Sequence, residues 1–318
     1  MAAIAPERAG RPGRRTWSRY SSRTFYLFIS PWILGFALLT ALPLGYAFAI
    51  SLTNFNGVSS RWRWVGLRNY SELVRDTDAI ASLVRTLAYT AVTVPLTVAG
   101  GLALAVLLNR RLKAVGLFRT IFFLPSVVPV VAMAIMWKLI FNRDAGILNA
   151  VLEKISVGPV AWLVDPYAFY ALIILALWGL GGGMVIMLAA LQGVPAELEE
   201  AALVDGASRW EVFRHVTVPI ISPVLYFQVV TGVIAAVQIV IQPLLLAQTS
   251  QIGRVAEVPE STHLYMVQVY QEYFANNRYG YGSAMLWAFF AVILLITLLV
   301  QRSSRLWVHY EVDSEADR

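Results

Sequence analysis

The chain has 318 residues, of which 58% are hydrophobic and 14% are charged, and its formal net charge is +6. Because an average soluble domain is about 25% charged, this composition excludes an ordinary soluble protein, and the absence of cysteine excludes disulfides, thiolate metal sites and cysteine nucleophiles. The basic residues form no groove interleaved with aromatic residues, so we attribute the positive charge to membrane topology and anionic lipid rather than to nucleic acid.

Six long uncharged stretches separate the charged parts of the chain. We predict membrane spans at about 25–50, 86–108, 120–140, 168–191, 222–247 and 283–301. A helical crossing needs about 20 apolar residues, whereas the strands of outer-membrane barrels alternate over about ten. The sequence therefore predicts an all-α polytopic membrane protein with six transmembrane helices.

The distribution of basic residues predicts the orientation of these spans. Residues 1–23 form a basic tail, residues 24–303 the six-span domain, and residues 304–318 a second tail. Because Lys and Arg are enriched in cytoplasmic segments, we expect both termini to lie in the cytoplasm. The first apolar run is longer than the roughly 7–15-residue core of a signal peptide, so we interpret it as an uncleaved span.

Aromatic residues recur in two loops that this orientation places outside. Trp62, Trp64 and Tyr70 fall in loop 51–84, and five tyrosines fall in loop 248–282. Amphipathic rings in such loops are typical of anchoring at the level of the lipid headgroups. The alternative is that they cover a sugar-binding partner protein.

Ionisable side chains are nearly absent from the predicted spans, with Lys138 at the end of the third. A charge at mid-membrane costs about 2.5–3.5 kcal/mol on insertion scales and usually marks an ion route, so a carboxylate proton relay is not expected. The sequence also lacks a Gly-x4-Gly-Lys-Ser/Thr phosphate loop and is not expected to hydrolyse ATP by that route. His215, His263 and His309 are far apart, which predicts neither a metal site nor a cofactor site.

Neutral polar residues take the place of charge in the fifth predicted span. These residues are Gln228, Thr231, Gln238 and Gln242. At 100° per residue they would fall within an arc of about 80° on one helix face. One interpretation is hydrogen bonding between helices, worth about 0.6 kcal/mol each. The other is a pathway for a neutral polyhydroxylated solute, and the sequence leaves both open.

A polar loop, residues 192–221, interrupts the apolar pattern between the fourth and fifth spans. Pro195 fits the first position of a short helix, where its missing N–H costs nothing. Three glutamates follow and favour the positive end of the helix dipole. Gly206 is at a position typical of a helix end. The loop therefore begins with an ordered helix.

A second short helix is predicted to follow directly. Ser208 and Glu211 match a capping box, and the helix is expected to stop before Pro219. One interpretation is an ordered re-entry loop that rests on the headgroups. The pair of alanines with an acidic rim instead favours insertion into a cleft on a soluble partner.

This loop resembles the signature loop of the inner-membrane subunits of binding-protein-dependent ABC importers. The family pattern is Glu-Ala-Ala, a glycine four residues after the second alanine, and a hydrophobic-x-x-Pro ending. The chain matches it at Glu200, Ala201, Ala202, Asp205, Gly206 and Pro219. Further segments are similar to the sugar branch, of the maltose and glycerol-phosphate permease type: Ser30–Trp32, Pro43, Ser51–Thr53, Trp64–Tyr70 and Asp205–Ser208. The resemblance covers about residues 24–303.

The resemblance implies a type I ABC importer permease fold and a set of partners. A second homologous permease would pair with this chain, two ATP-binding-cassette ATPases would lie beneath, and an extracytoplasmic protein would deliver the solute. Residues 200–206 would form a coupling helix in an ATPase cleft, in a bacterial cytoplasmic membrane. Gln238 and Gln242 match the part of span five where the maltose-type permease holds sugar. The chain departs from the sugar branch at Gln248–Gly253, where that branch often has a Thr-Gly-Gly-Gly-Pro turn.

Two other classes of protein compete with this interpretation. A stand-alone channel or facilitator would move its solute without ATP or partners. A membrane-embedded lipid-modifying enzyme would need a catalytic cluster at one interface, for which Glu200, Asp205 and His215 are the candidates. Their helical spacing does not bring them together.

Overall fold

The computed structural model describes residues 22–59, 62–110, 113–247 and 257–309. Most of the two predicted tails, and all of Gln248–Gly253, lie outside the described residues. The described part of the chain is mainly helical, and an isolated β-bridge pairs Thr53 with Trp64. Contacts divide the chain into two units, which meet in sequence at Ala49 and Ile50.

The first unit contains the first apolar segment. Helix α1 (Ser22–Phe36) passes through a π-helical turn, Ala37–Ala41, into α2 (Leu42–Ser51). Together they form a helical stretch of 29 residues, Arg23–Ser51. Its length and hydropathy suit one membrane crossing, as predicted.

The second unit contains the other helices. In chain order they are α3 (Arg68–Leu73), α4 (Thr77–Leu108), α5 (Val115–Val127), α6 (Val130–Ile140), α7 (Ile147–Lys154), α8 (Ala168–Trp178), α9 (Gly181–Gln192), α10 (Ala196–Val204), α11 (Arg209–Val212), α12 (Val218–Val237), α13 (Ile241–Leu246), α14 (Tyr265–Phe274) and α15 (Tyr279–Ser304). A π-helical turn, Phe213–Thr217, joins α11 to α12, and a 3₁₀ turn, Glu260–Thr262, precedes α14.

Four helical stretches in the described part are long and apolar enough to cross a membrane, and two bent pairs of helices raise the number to six. The pairs are α5 with α6 and α8 with α9. The protein is thus an all-α polytopic membrane protein. The second span begins nine residues earlier than predicted, at Thr77, because the Asp76 side chain caps the helix by accepting from the backbone N–H groups of Asp78 and Ala79.

The third span, predicted at about 120–140, is a sharply bent pair of helices. Helices α5 and α6 meet at an angle of 102°. Val128 and Pro129 between them are extended, with ψ values of 128° and 136°. A residue before proline is disfavoured in the α conformation, so Pro129 ends α5 at this point. The fourth span bends less, by 44°, at Gly179 and Leu180.

The fifth span differs from the prediction at both ends. It was predicted as 222–247, but one helical stretch of 29 residues runs from Arg209 to Val237. The second loop helix therefore does not stop before Pro219, which lies in the first turn of α12. At the other end the helix stops at Val237 and resumes as α13, so Gln238 and Gln242 do not share a helix face with Gln228.

Within the described residues of the second unit, buried apolar side chains form three clusters. One surrounds Leu172 and Phe141, one surrounds Met184 and Met187, and one surrounds Tyr265 and Met285. Helix α9 packs closely on α5, because a Cβ added to Gly181 would lie 1.9 Å from the Phe122 carbonyl oxygen. Only glycine allows this approach.

A polar cluster joins α3, α4, α14 and α15 at one end of the bundle. The Arg278 guanidinium pairs with Glu72 and with Glu272 and lies over the Tyr281 ring. The Tyr281 hydroxyl donates to Asp76. Glu272 is 5% exposed, and burial raises the pKa of its carboxyl above the ordinary 4.5, although Arg278 partly opposes the shift.

The buried Glu272 carboxyl predicts a pH dependence of stability. The folded chain holds the Glu272 proton more tightly than the unfolded chain, so this contribution is present below pH 4.5 and is lost as pH rises through the raised pKa. We expect the melting temperature of the purified protein, relative to that of Glu272→Gln, to fall as pH rises above 4.5. Thermal unfolding of both proteins across a pH series measures the difference. A constant difference would contradict the assignment.

Candidate functional site

The polar loop between spans four and five forms a compact helical module, residues 195–217. Helix α10 ends in a Schellman motif: Gly206 N–H donates to Leu203 O at 3.1 Å and Ala207 N–H donates to Ala202 O at 3.0 Å. Gly206 has a φ of +89°, in the left-handed region that favours glycine. The predicted helix end at Gly206 is confirmed.

The start of the second helix in the module is also capped. Ser208 and Glu211 form the predicted capping box, with Ser208 N–H donating to Glu211 Oε2 at 2.7 Å and Glu211 N–H to Ser208 Oγ at 3.3 Å. Pro195 is the N-cap residue of α10 and not its first helical residue, because its ψ of 125° is extended. The module is therefore fixed by local hydrogen bonds, from the Schellman motif and from the capping box.

The outer surface of the module exposes apolar side chains. Val204 is 86% exposed and Trp210 is 66% exposed, and Leu198 and Leu203 are each nearly half exposed. Glu200, Asp205 and Gly206 are exposed beside them. Exposed apolar groups rimmed by polar residues are typical of a surface that contacts another protein.

A cavity of about 450 Å³ lies within the helices of the second unit. Gln238 and Gln242 line it, at the break between α12 and α13. Their side-chain amides make no hydrogen bond with the described residues, so they are available to a solute. Gln238 lies in the break and Gln242 lies on α13, and both line the same cavity.

A second cavity of about 380 Å³ adjoins the first. Thr97, Gly179, Gly232 and Ala235 line both, so the two cavities adjoin at these residues. Gln228 and Thr231 line the second. Gln228 Nε2 donates to Gly183 O on α9 at 3.0 Å. This is the kind of hydrogen bond between helices that was one of the two interpretations of the polar residues in span five. Thr231 Oγ1 donates to Phe227 O, at 2.8 Å, within its own helix.

The lining of the two cavities contains no carboxylate and no cationic side chain among the described residues. Lys138 does not change this, because its ammonium group donates to Ala247 O at the end of α13. A cavity with apolar walls and a few neutral polar groups suits a neutral solute with hydroxyl groups.

Sequence reasoning missed the contribution of α4 to the first cavity. Tyr89, Thr93 and Thr97 line it, and Thr93 Oγ1 is buried without a hydrogen-bond partner among the described residues. These three residues are spaced i, i+4 and i+8, which places them on one face of a helix. That spacing is the signal that could have identified them.

The structure does not assemble the candidate enzymatic cluster. Glu200 and Asp205 are exposed, and the His215 ring contacts the carbonyl oxygen of Glu211 at 3.1 Å. In the residues that the structure describes, no hydrogen bond joins Glu200, Asp205 and His215. Across the described part of the chain, no group of three His, Asp or Glu side chains is placed to bind a metal ion.

Apolar spans around an uncharged cavity, with an ordered polar module at one end, define a membrane permease. The match to a known sequence family assigns the chain more specifically. The chain belongs to the family described as binding-protein-dependent transport system inner membrane component, whose profile matches residues 97–307. This range includes the module and both cavities, apart from Tyr89, Thr93 and Val94.

Curated relatives of the chain are similar over most of their length. The probable ABC transporter permease YesP of Bacillus subtilis is 36% identical over 294 residues, which cover 91% of this chain and 93% of that protein. The trehalose/maltose transport system permease MalF of Thermococcus litoralis is 32% identical over 282 residues, covering 88% and 93%. The arabinooligosaccharide permease AraP of B. subtilis is 30% identical over 280 residues, covering 86% and 85%.

Solved structures establish the fold. The chain matches a bacterial ABC transporter involved in import of the acidic polysaccharide alginate, with a TM-score of 0.76 and 21% identity, over 89% of this chain and 95% of that chain. The same transporter in complex with an alginate pentasaccharide-bound periplasmic protein also gives a TM-score of 0.76 and 21% identity, over 91% and 96%. The type I importer permease fold is therefore confirmed.

Proposed function

We propose that the chain is a membrane-spanning subunit of an ATP-binding-cassette importer. It takes up a neutral sugar or related polyol, which an extracytoplasmic binding protein delivers. A second homologous permease and two ATPase subunits complete the transporter, and the ATPases supply the energy. Both termini and the module lie in the cytoplasm, in the cytoplasmic membrane.

One observation carries this proposal: the module is continuous with the helix that lines the cavity. The stretch Arg209–Val237 contains α11 of the module and also Gln228, Thr231 and Ala235 of the cavity wall. A displacement of the module by an ATPase therefore reaches the solute pathway through one helix. Exposed Glu200, Asp205 and Gly206, beside Ala201 and Ala202, form the surface for that ATPase, and Pro219 marks where the module enters the span.

The neutral lining supports the substrate class. Glutamine amides and threonine hydroxyls donate and accept hydrogen bonds, which suits sugar hydroxyls. Among the residues that the structure describes, no cationic side chain lines either cavity to hold an acidic sugar. The names of the relatives point in the same direction, to trehalose or maltose and to arabinooligosaccharides.

The test is reconstitution in liposomes with the second permease, the ATPase and the binding protein encoded beside this chain. We expect uptake of a neutral sugar that requires both ATP and the binding protein. Uptake by this chain alone, without ATP, would instead identify a stand-alone channel or facilitator.

Single cysteines can test orientation and partner contact directly, because the sequence has no cysteine. Val204→Cys, at an 86% exposed position, is expected to crosslink to the ATPase and to react only with cytoplasmic thiol reagents. Val58→Cys, at an 83% exposed position, is expected to react from the outside. Labelling of Val204→Cys from the outside would overturn the proposed topology.

A further inference from the structure

A side-chain hydrogen bond joins α10 of the module to the π-helical turn through which the module enters span five. Thr217 Oγ1 donates to Glu199 Oε1 at 2.8 Å. Thr217 is the last residue of the π-helical turn and is 5% exposed, and Glu199 lies in the first turn of α10. The bond therefore connects two side chains that are 18 residues apart in the chain and lie in different helical elements.

The threonine makes a bond that differs from those of other helical threonines in the chain. Thr86, Thr90, Thr120, Thr231 and Thr297 each donate to the carbonyl oxygen four residues earlier. That is the ordinary local bond of a helical threonine. Thr217 instead donates across to another helix. Since its acceptor is a carboxylate, the bond is stronger than one between neutral groups.

The glutamate is also distinct from its neighbours. Glu197 and Glu200 are exposed on α10, whereas Glu199 is half-buried and accepts the hydrogen bond from Thr217 in the π-helical turn. The resemblance to the importer loop rests on Glu200, which faces outward. The two glutamates therefore lie on different sides of the module.

The bond lies where the helix can deform. Phe213–Thr217 is π-helical, with Val218 N–H bonded to Phe213 O, and π-helical turns in α-helices are frequent at functional sites. Proline at 219 cannot donate a hydrogen bond, and its ring clashes with the carbonyl four residues earlier in a regular helix, which favours the wider turn. A cavity of about 370 Å³ beside the bond, lined by Leu203, Val212 and Phe213, leaves room for movement of α10.

We propose that Thr217 and Glu199 are positioning residues for energy coupling: their hydrogen bond fixes α10 to span five, so that ATPase motion reaches the cavity. Without this bond, α10 moves in the space beside it, and a smaller part of its displacement reaches span five through α11. The inference rests on the proposed function. It adds a transmitting contact inside the permease to the contact with the ATPase.

The test uses the assembled transporter in liposomes and measures solute uptake and ATP hydrolysis together. Thr217→Val is expected to lower the solute moved per ATP about tenfold, the factor for loss of one charge-assisted hydrogen bond. Thr217→Ser keeps the hydroxyl and is expected to restore coupling. Thr297→Val removes a hydroxyl that bonds only within its own helix, to Ile293 O, and is the matched control.

The partner residue gives a second arm if Thr217→Val does not accumulate in the membrane. Glu199→Ala is expected to uncouple, Glu199→Gln to retain coupling through its amide oxygen, and the double variant to be no worse than either single one. Coupling equal to wild type in Thr217→Val or Glu199→Ala, with the Val204→Cys crosslink intact, would overturn the inference and leave the proposed function standing. Loss of that crosslink in the otherwise unchanged protein would instead overturn the proposed function.

Discussion

Replacement of Gly206 by valine is expected to abolish uptake while the chain still inserts in the membrane. Gly206 has a φ of +89°, and a Cβ at this position meets no atom within 4 Å. The strain of a left-handed residue costs about 1–2 kcal/mol, which is small beside a total stability of about 5–15 kcal/mol. The fold therefore survives, but the Schellman turn distorts and a branched side chain projects into the space of the proposed ATPase cleft.

Uptake into vesicles and the amount of inserted protein are measured together for this variant. Gly66→Val is the control, because Gly66 has a φ of +57° and also no atom within 4 Å of its Cβ. It places a branched side chain at a positive φ away from the module, and we expect it to keep uptake. Glu200→Lys reverses an exposed charge on α10 and is expected to abolish uptake like Gly206→Val. Uptake that persists in both module variants would show that the coupling assignment is wrong.

Local patterns in the sequence predicted the features that depend on local physics. The capping box at Ser208 and Glu211 and the helix end at Gly206 follow from hydrogen bonds within a few residues, and both are confirmed. The membrane spans were predicted from the lengths of the uncharged stretches, because the thickness of the bilayer sets how many apolar residues a helix needs to cross it. These features need no knowledge of tertiary packing.

The prolines explain most of the differences between prediction and structure. Pro129 causes the bend of the third span, and Pro219 accompanies the π-helical turn that keeps the module continuous with span five. Pro243 would clash with the carbonyl of Ile239 in an unbroken helix, and the chain breaks between Val237 and Ile241. A proline restricts the helix, but packing decides whether the outcome is a bend, a wider turn or a break.

The residues that line the candidate solute pathway could be identified only from the tertiary structure, for a similar reason. Gln238 and Gln242 were grouped with Gln228 by helical phase, which is wrong beyond Val237, yet the break itself brings them to the first cavity. Tyr89 and Thr93 come from a different span. Sequence spacing within one span cannot show which faces of two spans meet.

Replacement of Ala235 by phenylalanine is expected to block uptake at the point where the two cavities join. Ala235 lines both cavities, so an added ring fills the passage between Gln228 and Gln238. The ring enters existing space, so its cost to stability is at or below the roughly 1–3 kcal/mol of overpacking a filled core. Uptake should fall to background while ATP hydrolysis stimulated by the binding protein persists.

This pattern distinguishes a blocked pathway from a broken coupling module, because Gly206→Val and Glu200→Lys act on the proposed ATPase contact and should reduce both activities. Ile234→Phe is the control: it adds a ring of the same size at the neighbouring position of α12, which lines neither cavity. Ala235→Ser adds one hydroxyl and should keep uptake. If Ala235→Phe transports at the wild-type rate, the solute does not pass between these cavities, and the polar residues of span five serve helix packing alone.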